Sequence, residues 1–63
     1  MPVIQIDVGK ISKEQKTELI KAFTEKASSI LNIPEKSFVV LIRENPEDNV
    51  GIGGIPLAER NKA

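Results

Sequence analysis

The chain has 63 residues, nine Lys and Arg against nine Asp and Glu, and neither cysteine nor histidine. That length supports at most one domain, so residues 1–63 are read as one, and disulfides or an ordinary zinc site cannot staple it. Balanced charge without Trp or Tyr argues against a nucleic-acid surface. No apolar run approaches the ~20 residues of a membrane span and no leader pattern opens the chain, so a cytoplasmic protein is expected.

Hydrophobic residues nevertheless make up 40% of the chain. Small domains without staples commonly gain stability by oligomerising, and the sequence is read in that light.

The first eight residues, Met1 to Val8, read as a strand. Ile4, Ile6 and Val8 alternate with Val3, Gln5 and Asp7, the period of two that marks one strongly apolar face. Pro2 is small enough for methionine aminopeptidases to trim Met1. Trimming would leave a secondary amine at the head of the strand. Burial and nearby cations disfavour the protonated form of such an amine and bring its pKa toward the range useful to a general base. With Met1 retained, the Pro2 nitrogen is an amide and no base.

Gly9-Lys10-Ile11 turns the chain. Ser12 with Gln15 forms an S-x-x-Q capping box, predicting a helix from about Lys13 to about Leu31. Leu19, Ile20, Phe23, Ala27, Ile30 and Leu31 share one stripe of it, and Glu18 stands at pairing distance from Lys21 on the polar side. Asn32 closes the helix in a left-handed conformation, and Ile33 to Lys36 form a turn around Pro34.

Ser37 to Arg43 is the second predicted strand. Phe38, Val40 and Ile42 face one way; Val39, Leu41 and Arg43 face the other. A strand apolar on both faces needs cover on both, and one helix supplies only one. The order strand, helix, strand predicts a parallel pair with a right-handed crossover. A lone two-stranded sheet is marginal, so another subunit is expected to complete it.

Asn45 to Asn49 reads as a loop. Gly51-Ile52-Gly53-Gly54 reads as a tight hairpin rather than a phosphate cradle, because no strand feeds it and no Lys-Ser/Thr pair follows. Ile55 to Ala58 is a short apolar segment able to dock on a neighbour. Glu59 to Ala63 reads as a frayed polar tail.

Taken together, Met1-Pro2 before Val-Ile-Gln-Ile, Ser12-x-Glu14-Gln15-Lys16, Val39 to Ile42, and Asn49-Val50-Gly51-Ile52-Gly53-Gly54 resemble the 4-oxalocrotonate tautomerase family, and within it the DmpI-like branch. The resemblance spans nearly the whole chain. It implies an α+β fold: a β-α-β subunit with a short C-terminal hairpin, assembling through its sheet into a homo-oligomer, commonly a homohexamer built as a trimer of dimers. It implies no cofactor or metal. It implies that Pro2, after Met1 removal, is the general base of an isomerase that moves a proton on small 2-hydroxydienoates or enol and keto acids.

The substrate-binding positions depart from the family. Two arginines usually bind the substrate. The first falls here to Lys10 or Ile11, and lysine lacks the two-pronged grip of arginine. The second falls to Val39. Arg43 lies on the same strand face but roughly 13 Å further along. The pocket aromatic before the glycine run is Val50. Lys10, Arg43, Val39 and Val50 are thus the expected substrate-binding positions, with Arg60 a further cation, and weak, broad activity is expected. A non-catalytic oligomer or interaction module is the alternative, supported by the missing arginine at Val39.

Overall fold

The computed structural model describes residues 1–60. β1 (Val3–Val8) leads through Gly9 to Ser12 into α1 (Lys13–Leu31). β2 (Val39–Glu44) follows, then a hairpin of β3 (Gly51–Ile52) and β4 (Ile55–Pro56), and a single helical turn, α2 (Leu57–Arg60). This is the expected small α+β arrangement. β1 and β2 pair in parallel, Val3 opposite Val39 and Asp7 opposite Arg43. The ladder extends past both strand ends. The Val39 N–H donates to the Pro2 carbonyl (3.0 Å) and the Asn45 N–H to the Val8 carbonyl (2.7 Å).

α1 begins and ends where its caps dictate. The Ser12 hydroxyl accepts from the Gln15 N–H (3.1 Å), while the Gln15 side chain accepts from the Ser12 N–H (2.9 Å). Two backbone donors that no helical carbonyl can reach are satisfied this way. At the far end Asn32 adopts φ 57°, ψ 44°, and its N–H returns to the Ser28 carbonyl. Asparagine is one of few side chains that tolerate this region.

The sequence-based boundaries need some correction. Met1 and Pro2 precede the regular strand, since proline has no N–H for a ladder. Ser37 is not in β2. Glu35–Ser37 forms a 3-10 turn in which the Ser37 N–H reaches the Pro34 carbonyl (3.0 Å). Glu47–Asn49 does the same behind Pro46, inside the stretch expected to be irregular. In both, proline fixes a φ compatible with turning and has no donor to lose. Gly53 and Gly54 form the hairpin loop with φ of 61° and 84°, a pair of left-handed positions that selects glycine. Leu57 docks on its own chain, donating its N–H to the Val50 carbonyl (2.7 Å), while Ile55 stays exposed. Glu59 and Arg60 belong to α2 rather than to a frayed tail. Residues 61–63 of that expected tail lie outside the described residues. Glu18 and Lys21 form no ion pair; Lys16 instead pairs with Glu44.

The two faces of the sheet differ sharply. Ile4, Ile6, Val8, Val40 and Ile42 are half-buried on the side that carries α1. The opposite face runs from apolar to polar along the strands: Val3, Val39 and Leu41 at one end, Gln5, Asp7 and Arg43 toward the other. Nothing among the described residues covers it, and Val3 is 52% and Leu41 49% exposed. The helix is also wider in apolar character than its support. Leu19, Phe23 and Ala27 are half-buried, while Ile20, Ile30 and Leu31 are exposed. At ~1.5 Å per residue a helix of 19 residues is about 28 Å long; six strand residues span about 20 Å, so the helix overhangs the sheet.

No described residue is fully buried. The molecule measures 45 × 24 × 14 Å with a radius of gyration of 15.3 Å, where a compact chain of this length has roughly 11 Å. Its accessible surface is 5080 Å², where a compact monomer of 6.9 kDa exposes about 4,000 Å². The difference of about 1,000 Å² is what one partner gives up in a stable protein–protein interface or slightly more. Folding should therefore be coupled to assembly. Light scattering at micromolar concentration should return several times the subunit mass, and Leu41→Asp, which places a charge in the uncovered apolar face, should dissociate the assembly and lower its helical circular dichroism. A folded monomer at that concentration would contradict this.

Candidate active site

Pro2 is half-buried at the head of β1, directly beside the start of β2. The parallel register sets this neighbourhood. Because Val3 faces Val39, the Pro2 carbonyl lies 3.0 Å from the Val39 nitrogen. Two of the sequence-derived positions, Pro2 and Val39, are thus brought together by a backbone hydrogen bond. Val39 is half-buried, and the side chains around it on that face, Val3 and Leu41, are apolar.

Lys10 and Val50 meet at the other end of β1. They line an open groove of 740 Å³ together with Asp7, Asn45, Pro46 and Leu57. The hairpin closes one wall of it, because the Leu57 N–H is held on the Val50 carbonyl. Asn45 donates weakly to an Asp7 carboxylate oxygen (3.4 Å). Among the described residues that line it, Lys10 is the one cation, beside the carboxylates of Asp7 and Glu47 and over an apolar floor supplied by Val50, Pro46 and Leu57.

Arg43 stands apart from both. Its Nε lies 3.7 Å from Asp7 Oδ1, with both side chains more than half exposed. Gln5, with its carboxamide oxygen turned toward Arg43, accepts from Nη2 and from Nε (3.3 Å). The guanidinium is therefore occupied within its own sheet face. Arg60 is exposed on α2.

Neither Lys10 nor Arg43 shares a neighbourhood with Pro2. Six strand steps of ~3.3 Å put Pro2 about 20 Å from Val8, and Lys10 lies beyond that. Arg43 is four steps, about 13 Å, from Val39. A base at Pro2 and a cation at Lys10 can face one substrate only across a boundary between subunits. What sequence reasoning missed is Glu44. One carboxylate oxygen accepts from the Ile11 N–H (3.2 Å), and the other takes Lys16 Nζ at 2.6 Å. The lysine contact, foremost, and the Ile11 N–H hold the Glu44 carboxyl below the ordinary glutamate range. The partners are 28 and 33 residues away in sequence, so no local pattern announces them.

With this geometry established, likeness to known proteins is informative. Residues 2–60 match the family described as Tautomerase enzyme. The 2-hydroxymuconate tautomerase of Pseudomonas fluorescens is 38% identical over 64 residues, covering 98% of this chain and all of that one. Among solved structures, apo unfused 4-OT superposes with a TM-score of 0.84 at 35% identity, covering 94% of this chain and 98% of that one. DmpI from Helicobacter pylori does so at 0.81 and 31%, covering 92% and 98%. A heterohexamer 4-oxalocrotonate tautomerase from Chloroflexus aurantiacus does so at 0.78 and 29%, covering 94% and 95%. The chain belongs to the tautomerase family. It is of the 4-oxalocrotonate tautomerase type and an isomerase, which decides between the enzyme and the non-catalytic module in favour of the enzyme.

Glu44 gives the fold an acid-sensitive contact. Its folded-state pKa lies below the unfolded one, so its contribution is complete above the ordinary glutamate range and disappears as the pH falls through the folded value. At fixed protein concentration, the urea midpoint of the wild type should fall as the pH drops below that range. Glu44→Gln should start lower and fall less steeply. Parallel curves would mean that the carboxylate contributes nothing.

Proposed function

We propose that the chain is a cytoplasmic homo-oligomeric isomerase, a hexamer built as a trimer of dimers, that ketonises small 2-hydroxydienoates and related enol acids. Pro2, with Met1 removed, is its general base. The observation that carries this reading is the position of Pro2: it is the first residue of the family match, half-buried at the head of β1, and fixed there by the Val39 N–H on its carbonyl. Met1 is 87% exposed, and among the described residues it makes no side-chain hydrogen bond or ion pair that its removal would break.

The chemistry is a proton relocation. The secondary amine of Pro2 takes the hydroxyl proton of the bound enol, the oxygen electron pair forms the carbonyl, and the resulting ammonium delivers the proton to a carbon of the conjugated chain. The substrate carries a carboxylate, and a cation near it holds the acid in place by a charge-assisted hydrogen bond. Lys10 of a neighbouring subunit is the first choice for that cation. Its groove is open, it forms no ion pair among the described residues, and it stands beside an apolar floor suited to a carbon chain. Arg43 can serve only by leaving Asp7 and Gln5. Val39 and Val50 line the pocket as apolar walls. A site with one mobile cation and such walls favours substrates carrying one carboxylate and a short apolar end, and it binds them loosely.

Two measurements test this reading. Pro2→Ala should assemble normally yet lose about 100-fold or more in kcat/KM with 2-hydroxymuconate, because loss of a positioned base typically costs that much. Protein that retains Met1 should lose as much, since its Pro2 nitrogen is an amide. Equal turnover by trimmed and untrimmed protein would remove Pro2 from the mechanism. Separately, Val39→Arg should lower KM for the dicarboxylate 2-hydroxymuconate while leaving that for the monocarboxylate 2-hydroxypentadienoate nearly unchanged. If neither KM moves in a normally assembled variant, Val39 is not a pocket wall.

A further inference from the structure

We infer that Glu44 is a positioning residue for the substrate cation, acting through the turn that carries Lys10. The inference rests on the reading of Lys10 as that cation. Glu44 closes β2, in register with Val8, the last residue of β1. The chain leaves β1 there and must cross Gly9, Lys10 and Ile11 to reach the N-cap of α1. Among the described residues, the Ile11 N–H donating to Glu44 Oε2 (3.2 Å) is the only hydrogen bond made by residues 9–11. A Cβ at Gly9 would meet open space, so no neighbouring side chain crowds the turn at that point. The residue next to Lys10 is thereby tied to a strand end, while Lys10 itself stays exposed on the groove.

The other carboxylate oxygen makes a separate tie to the helix. Lys16, one turn into α1, grips Oε1 at 2.6 Å, and each side chain is about a third exposed. Two ends of the carboxylate thus join three elements: the close of β2, the start of α1 and the turn between β1 and α1. The cations that face Glu44 are Lys16 from α1 and Lys10 from the turn. The first is spent on it. The second lies near enough to feel its charge without forming an ion pair, so it remains available to an anion in the groove. Removing the carboxylate releases the hydrogen bond that ties the Lys10 turn to β2 while leaving Lys10 present. The expected signature is weaker substrate capture with the proton transfer at Pro2 little changed.

The experiment compares Glu44→Ala, Glu44→Gln, Lys16→Met and Lys10→Ala, each checked for wild-type assembly by light scattering, with 2-hydroxymuconate as substrate. Glu44→Ala should raise KM about tenfold, approaching Lys10→Ala, with kcat within about twofold of wild type, since misplacing a binding group by an ångström is costly. Glu44→Gln keeps an oxygen that can accept from Ile11 and should restore most of the loss. Lys16→Met, which leaves the Ile11 bond intact, should lower stability but keep the wild-type KM. If Glu44→Ala fails to assemble, the remaining variants carry the test: a small rise in KM for Glu44→Gln with none for Lys16→Met supports the inference. A KM that Glu44→Ala leaves unchanged while Lys10→Ala raises it overturns the positioning role and spares the reading of Lys10. Equal rises in Glu44→Gln and Lys16→Met would assign the effect to the helix tie and also overturn it. An unchanged KM in Lys10→Ala defeats the reading of Lys10 itself, and the inference with it.

Discussion

Shortage of cover governs this molecule. β2 is apolar on both faces, and the chain contains one long helix to lay against it. The outcome is a slab one helix thick in which no described side chain is fully withdrawn from water. A chain of this size cannot recover the entropy of ordering its backbone from half-buried contacts alone. The apolar surface on the free sheet face and on the helix flank is therefore stabilising capacity that the single chain leaves unused. The proposed chemistry follows from the same shortage: the base proposed at Pro2 and the cation proposed at Lys10 lie at opposite ends of β1 within one subunit, and a boundary between subunits is where they can converge.

Much of the fold is legible in the residues because its determinants are local. The Ser12–Gln15 box and the left-handed Asn32 fix both ends of α1, and each acts within four residues of itself. The two-residue glycine loop specifies the hairpin for the same reason. The alternation in β1 and the doubly apolar β2 reveal which faces need cover. Less legible were the 3-10 turns behind Pro34 and Pro46, where proline announces a change of direction without naming its form. α2 was missed because four residues carry too little periodicity to stand out from a tail.

The candidate site divides along the same line. Pro2 is visible from its place in the chain, and Val39 and Val50 are visible as departures from a pattern. Their neighbourhoods are not visible, because they depend on register. That Pro2 abuts Val39 follows from the Val3–Val39 pairing, and that Val50 shares a groove with Lys10 follows from the fold-back of Leu57. Arg43 looks like a spare cation in sequence and is an engaged one in structure, held by groups 36 and 38 residues away that only the parallel ladder makes its neighbours. Glu44 carried no signal at all, since a glutamate ending a strand is ordinary until its two distant partners are known.

The graded face of the sheet has a bearing on how copies recognise one another. Val3, Val39 and Leu41 occupy one end, and Gln5, Asp7 and Arg43 satisfy each other toward the other. A copy that approaches with its apolar end over the polar trio would strip water from a guanidinium and a carboxylate and give them nothing in return, which is costly. One that matches apolar end to apolar end leaves the trio hydrated at the margin. A face graded in this way favours one direction of approach over the other, a bias that six side chains on two adjacent strands are enough to encode.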